Sequence, residues 1–304
     1  MHVIFAAGDF NFVQEAPAKI NLALQVTGQR ADGYHLLDTL VTFARHGDRL
    51  GFRASHRDEF SLSGRFSPLL ADEADAGDNL VLKARDLLRQ AARTAGFEAP
   101  PVHIHLEKNL PVASGIGGGS ADAAATLGGL MRLWGIAPSS DTMMAIALKL
   151  GADVPMCLVS RPLIARGIGE TIELLPHFPS FAMVLGNPLV SVSTPEVFSL
   201  LARKDNPALA LSLQMPNDHA QWIEAIKGLR NDLEPPARTL CNEIATLSQL
   251  IETQGAVATR MSGSGATCFG LFDHLEQAKA AAASLHSLRP DWYFQATETI
   301  KGDA

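Results

Sequence analysis

A chain of 304 residues that is 47% hydrophobic with 25 glycines has enough apolar side chain for one large or two moderate buried cores, and predicts two lobes. The formal net charge of −7, with Lys and Arg scattered along the chain, offers no basic field to a phosphate backbone and argues against nucleic acid as a partner. Cys157, Cys241 and Cys268 are far apart and lack CxxC or Cys/His ligand spacing, which argues against a disulfide framework or structural zinc and fits a reducing cytoplasm.

In chain order, "MHVIFAAGDF" is briefly apolar, but it has no basic leader and Asp9 interrupts it. No later stretch approaches the roughly 20 apolar residues of a membrane span, so no membrane partner is expected. "AKINLALQVTG" reads as a strand, with Ile20, Leu22, Leu24 and Val26 on one face and Lys19, Asn21 and Gln25 on the other. "RADG" makes a turn into "YHLLDTLVTF" and on to "DRLGF", which predicts an antiparallel, β-rich opening. "NLVLKARDLLRQAARTAG", starting after Asp78, is an amphipathic helix stopped by Gly96, and "PVHIHLEKNL" is a strand. "SADAAATLGGLMRLWG" is a helix of small residues suited to close packing, ended by Gly135. "SSDTMMAIALKLGADVP" is a helix capped near Ser140 or Asp141 and stopped by Gly151, which leaves Asp153 at a helix end.

The texture changes around "SRPLIARGIGE", placing a domain boundary between residues 165 and 166. Beyond it, "FAMVLGNPLVSVS" is strand-like, helices are expected near 195–202 and 217–228, and the aperiodic stretch 203–217 reads as a mobile connection. "AVATRMSGSGATCFGLF" reads as two strands flanking a Ser/Gly loop, and "LEQAKAAAASLHSL" as a helix.

"PVASGIGGGSADAAA", Pro111 to Ala125, carries the strongest chemical signal. Glycines allow positive φ and let backbone amides approach a ligand, so successive N–H groups can line one concavity. The helix that follows turns its positive end toward the loop, which favours a phosphate. The spacing is neither a Walker loop, which needs GxxxxGK[ST], nor the dinucleotide fingerprint GxGxxG. A tightly packed glycine turn is the bland alternative.

The same stretch resembles the PxxxGLGGGSSxAA phosphate loop of the GHMP kinases, the superfamily of galactokinase, homoserine kinase, mevalonate kinase and phosphomevalonate kinase. "APAKINLALQVTGQRADGYH", "LGADVP" and "RMSGSGATCFGLF" resemble, in family order, the further blocks of a member whose alcohol acceptor carries a cytidine. The resemblance implies an α+β, two-lobed fold: residues 1–165 as an N-terminal lobe of mixed or antiparallel sheet with helices, and 166–304 as a ferredoxin-like α/β lobe. It implies ATP as phosphoryl donor, with Mg²⁺ expected and its ligands unknown, and a small-molecule acceptor. ATP would lie over Pro111, Val112, Ala113, Ser114, Gly115, Ile116, Gly117, Gly118, Gly119, Ser120 and Ala121. A monomer or weak homodimer is expected.

Lys19 and Asn21 share a strand face and can enter one site, where a lysine can neutralise charge on a transferring phosphoryl group; alone, it reads as a solvated strand-start lysine. Asp153 before Val-Pro is a good helix cap, whereas the resemblance makes it the catalytic base. Tyr34 and His35 read as loop packing by themselves; the resemblance makes them, with Phe198, residues that grip the acceptor's cytidine, and makes Asn21 an acceptor-binding residue at the transfer point beside Lys19 and Asp153. Asp122 departs from the family's usual SSN and puts a negative charge at the edge of a phosphate loop. A homoserine- or mevalonate-type kinase, or a non-catalytic nucleotide-binding protein on the same fold, are the alternatives.

Overall fold

The computed structural model describes residues 9–70, 79–211 and 218–303. Asp78 and residues 212–217 of the expected connection lie outside the described residues. The architecture is α+β, and the chain forms two compact units that do not follow a single cut after residue 165. One comprises the chain up to Ala18, Gly47–Val112 and Gly117–Val159; the other comprises Lys19–His46, Ala113–Ile116 and the chain from Ser160 onward. The physical reason is the length of the first two strands, β1 (Phe12–Gln29) and β2 (His35–Ala54), which at 18 and 20 residues contribute to both units. Where several short strands were expected in 34–53, alternation continues unbroken through one.

In the first unit, β2 pairs antiparallel with β4 (Val102–Glu107) from Arg49↔Glu107 to Ala54↔Val102, and β3 (Glu59–Ser63) lies parallel to β4. Helix α1 (Leu80–Thr94) begins where the Asn79 side chain accepts from the amides of Val81 and Leu82, and it buries Val81, Ala84, Leu88 and Ala92. Helix α2 (Gly118–Trp134) packs on α1 and presents its small residues to the sheet. A Cβ on Gly129 would fall 2.4 Å from the Phe52 ring, so that ring fills the space a larger residue would take. Helix α3 (Ser140–Leu150) is capped by Ser139, one residue before the expected position, and the short α4 (Val154–Val159) follows Asp153.

In the second unit, β2 pairs antiparallel with β5 (Leu163–Gly167), which pairs with β6 (Thr171–Leu174). A four-stranded antiparallel sheet has the order β10 (Tyr293–Glu298), β7 (Ala182–Asn187), β9 (Cys268–Phe272), β8 (Ala258–Met261). Helices α5 (Thr194–Ser199), α6 (His219–Gly228), α7 (Glu234–Leu240) and α8 (Glu243–Thr253) connect β7 to β8, and α9 (Leu275–Leu288) connects β9 to β10. That succession is the ferredoxin-like βαββαβ plan. Its core gathers Val184, Ile244, Leu247, Ile251, Phe272 and Leu285 together with Leu24 and Val26 of β1. Residues 203–211, expected to be mobile, are tied down: the Asn206 amide donates to Val26 O (3.0 Å) and the Leu209 amide to Asp38 Oδ2 (3.0 Å).

Candidate active site

The glycine loop has the backbone of an anion cradle. Ala113, Gly115 and Gly117 have positive φ (49°, 74° and 62°) with Ser114 and Ile116 between them, and such alternation of hand turns consecutive amides toward one side. Gly117 is the N-cap of α2 and contributes no side-chain hydrogen bond, and the first intrahelical bond runs from Ala121 N to Gly117 O. The amides of Gly118, Gly119 and Ser120 are therefore turned out from the positive end of a helix dipole, which is where a phosphate oxygen is stabilised. The helix starts two residues earlier than its sequence suggests, because Gly118 and Gly119 already take helical geometry.

Within the second unit the Ser/Gly loop between β8 and β9 buttresses the backbone of Ala113–Ile116. Ser262 Oγ donates to Gly115 O (3.1 Å) and accepts from the Asn21 amide (3.0 Å), while Thr267 N donates to Ser114 O (3.2 Å). The Lys19 amide donates to Ile116 O (3.0 Å). A Cβ on Gly115 would meet Ser262 O at 2.5 Å and one on Gly263 would meet Gly115 O at 2.6 Å, so both glycines are required by close approach. Asn231, invisible to motif reading, fixes the far side of this loop by donating to Met261 O and Gly263 O (2.8 Å each). Arg260 locks β8 to β1 through Leu22 O (2.6 Å).

The polar face of β1 is not solvated. Lys19, Asn21 and Gln25 are all buried. Asn21 Nδ2 donates to Thr39 Oγ1 (2.8 Å), leaving its buried Oδ1 without a protein partner, as an acceptor for a ligand hydroxyl would be. Asp153 is half-buried immediately ahead of α4, its carbonyl accepting from the Cys157 amide (3.1 Å).

The turn before β2 is set by Gly33 at φ 92° and by Asp32 Oδ1 accepting from the Tyr34 amide (3.3 Å), and it leaves Tyr34 exposed (59%). His35 stacks directly on Phe198 of α5, ring centroids 4.6 Å apart and planes 22° from parallel. The two residues are brought together in direct contact, their rings covering one face of each other. Burial, and then the charge of Lys204, hold the His35 imidazole below its usual pKa, and Nε2 is buried without a partner. A neutral ring of this kind can donate or accept at a base edge.

Asp122 is turned away from solvent, toward Lys108 and the carboxylate of Asp48. It lies buried in α2 with Oδ2 2.6 Å from Lys108 Nζ, and Lys108 in turn meets Asp48 Oδ2 at 2.5 Å. The charge that looked unfavourable beside a phosphate loop is thus paired within the protein. Among the described residues no group of three or more His, Cys, Asp or Glu is placed to hold a metal, and no helix is long and apolar enough to cross a membrane.

Comparison with known proteins gives this arrangement its class. Residues 79–161 match the GHMP kinases N terminal domain and residues 205–290 the GHMP kinases C terminal domain, so the cradle and the ferredoxin-like sheet are those of a GHMP kinase. Over 298 residues, 98% of this chain and 96% of the relative, the sequence is 64% identical to 4-diphosphocytidyl-2-C-methyl-D-erythritol kinase from Rhizobium johnstonii. It is 57% identical to the enzyme of that name from Agrobacterium fabrum, covering 97% and 98% of the two chains. A crystal structure of 4-(cytidine 5'-diphospho)-2C-methyl-D-erythritol kinase superposes with a TM-score of 0.78 at 32% identity, over 96% of this chain and all of that one. A crystal structure of L. major mevalonate kinase shares the fold at a TM-score of 0.67 and 15% identity, over 96% of each chain. The chain belongs to the 4-diphosphocytidyl-2-C-methyl-D-erythritol kinase family of the GHMP kinases.

Proposed function

We propose that this protein transfers the γ-phosphoryl group of ATP to the 2-hydroxyl of 4-diphosphocytidyl-2-C-methyl-D-erythritol, a step toward isoprenoid precursors. The observation that carries the donor side is the alternation of left-handed residues at Ala113, Gly115 and Gly117 running into the uncapped start of α2. In this reading residues 111–121 bind the phosphates, and Lys19 neutralises charge that develops on the transferring group. Asp153 accepts the proton of the attacking hydroxyl. Because the transition state is largely dissociative, proton removal comes late and placement of the carboxylate counts for more than its basicity. Asn21 orients the acceptor through its unpartnered Oδ1, while Tyr34, His35 and Phe198 hold the cytidine.

Mg²⁺ enters this reading as the counter-ion of ATP. Asp122, the carboxylate nearest the loop in sequence, is engaged with Lys108 and does not fit as its ligand, so the cation would be held through the phosphates and water. The three cysteines are buried and free, which suits a reducing cytoplasm, and a monomer or weak homodimer is the assembly we propose.

The test is ADP release measured in parallel with the diphosphocytidyl acceptor, mevalonate and homoserine. Turnover with the first alone is expected; turnover with either of the others and none with the first would overturn the assignment.

A further inference from the structure

The start of α2 poses a mechanical problem. A helix is usually fixed at its N-terminus by a side chain that caps its first amides, but amides reserved for phosphate oxygens cannot be spent in that way. Gly117 contributes no cap. The fixing contact has to come from somewhere else, and one is built beneath the first turn.

Lys108 is 2% exposed, and its Nζ lies 2.5 Å from Asp48 Oδ2 and 2.6 Å from Asp122 Oδ2. A Cβ placed on Gly118 would be 3.1 Å from that Nζ, so the ammonium sits directly under the first residue of α2. The backbone of Lys108 is held as well, its amide donating to Ser63 O (2.7 Å) and its carbonyl accepting from Phe66 N (3.0 Å). Asp48 grips the approach to the loop with its other oxygen, Oδ1 accepting from the amides of Asn109 (2.6 Å) and Leu110 (2.8 Å). One buried network therefore joins the strand end, the entry to the loop and the first turn of the helix. The two carboxylates push the lysine up to about 12 in spite of its burial, so it stays charged; burial, and then the nearby Asp48, push the Asp122 carboxyl above its ordinary range against the pull of Lys108.

We propose that Lys108, clamped between Asp48 and Asp122, is a positioning residue for phosphoryl transfer: it fixes the first turn of α2 from below so that the amides of Gly118, Gly119 and Ser120 keep one orientation toward the phosphates of ATP. The inference rests on residues 111–121 being the ATP-phosphate loop. What Lys108 takes from residue 122 is an acceptor oxygen, 2.6 Å from its Nζ.

The test compares Lys108→Met, Asp122→Ala and Asp122→Asn by ADP affinity in calorimetry, separate KM values for ATP and acceptor, kcat, and thermal melting. Lys108→Met and Asp122→Ala should each weaken ADP binding and raise the ATP KM by about tenfold or more, with the acceptor KM within about twofold; Asp122→Asn, which keeps the oxygen, should stay within about twofold throughout. If Lys108→Met does not fold, the two Asp122 variants decide the matter. Equal ATP KM for Asp122→Ala and wild type, or parallel rises in both KM values, would overturn the proposal. Failure of the wild-type protein itself to bind ADP would instead sink the reading of the loop.

Discussion

Two glycines of the loop separate what the fold needs from what the ligand needs. In Gly115→Ala the new Cβ would sit 2.5 Å from Ser262 O and 2.8 Å from Gly265 N and O, at a φ of 74°. The left-handed conformation costs alanine about 1–2 kcal/mol, and overlap with backbone that cannot rotate away adds about 1–3 kcal/mol. Together, about 2–5 kcal/mol should lower the melting temperature of a 304-residue chain by about 3–8 °C. In Gly119→Ala the Cβ would meet only Leu80 Cδ1, at an ordinary 3.5 Å, and alanine is favoured over glycine in a helix by up to about 1 kcal/mol. That variant should melt no lower than wild type, yet its ATP KM should rise by about tenfold or more, because the methyl takes the space through which an amide meets a phosphate. Differential scanning calorimetry and steady-state kinetics on both variants check the pair. An unchanged ATP KM in Gly119→Ala would show that the phosphates do not lie on this turn, and an unchanged melting temperature in Gly115→Ala would refute the packing argument.

Asp153→Asn should leave ADP affinity within about twofold while cutting kcat by about two orders of magnitude or more; full activity would remove the carboxylate from the base role. Phe198→Ala should raise the acceptor KM by about tenfold, as loss of about 1–3 kcal/mol of base stacking implies, and spare the ATP KM. For pH, the lowered pKa of His35 keeps its imidazole neutral at pH 7, so kcat/KM for the acceptor should be flat there and fall only as the solution is acidified below the ordinary histidine value. Removing the second cause of the shift by Lys204→Ala should move that fall to higher pH, and a profile that moves the other way would contradict the assignment.

Much of this was legible in local sequence. Gly96, Gly135 and Gly151 punctuate helices as their positions suggest, and the small residues of α2 announce close packing, which Phe52 exploits at Gly129. The left-handed turns of the glycine loop could be read because their physics is local, carried by consecutive φ angles. What escaped was set by distant partners. Lys108 at the end of a strand looks like a solvated charge until Asp48, 60 residues earlier, and Asp122, 14 residues later, close around it. Lys19, Asn21 and Gln25 alternate with apolar residues as on a half-exposed strand, but both faces of β1 are covered by chain that lies far off in sequence. Neither β3, parallel to β4, nor β10 announces its pairing partner, since register across such separations leaves no periodic trace.

The interleaving of the two units bears on how the chain is made. The stretch Lys19–His46 leaves the ribosome early, but what completes its environment is translated last: Leu24 N donates to Arg230 O, Val26 N to Asp232 Oδ2, and Phe43 O accepts from Ile300 N. At about 5–20 residues per second, those two strand segments wait on the order of ten seconds or more for their partners. During that interval Ile20, Leu22, Leu24 and Val26, none more than 4% exposed in the finished fold, are a nascent strand without a home. Strand segments that are synthesised first and seated last expose apolar surface longest, which is the interval in which a nascent chain is most prone to aggregate.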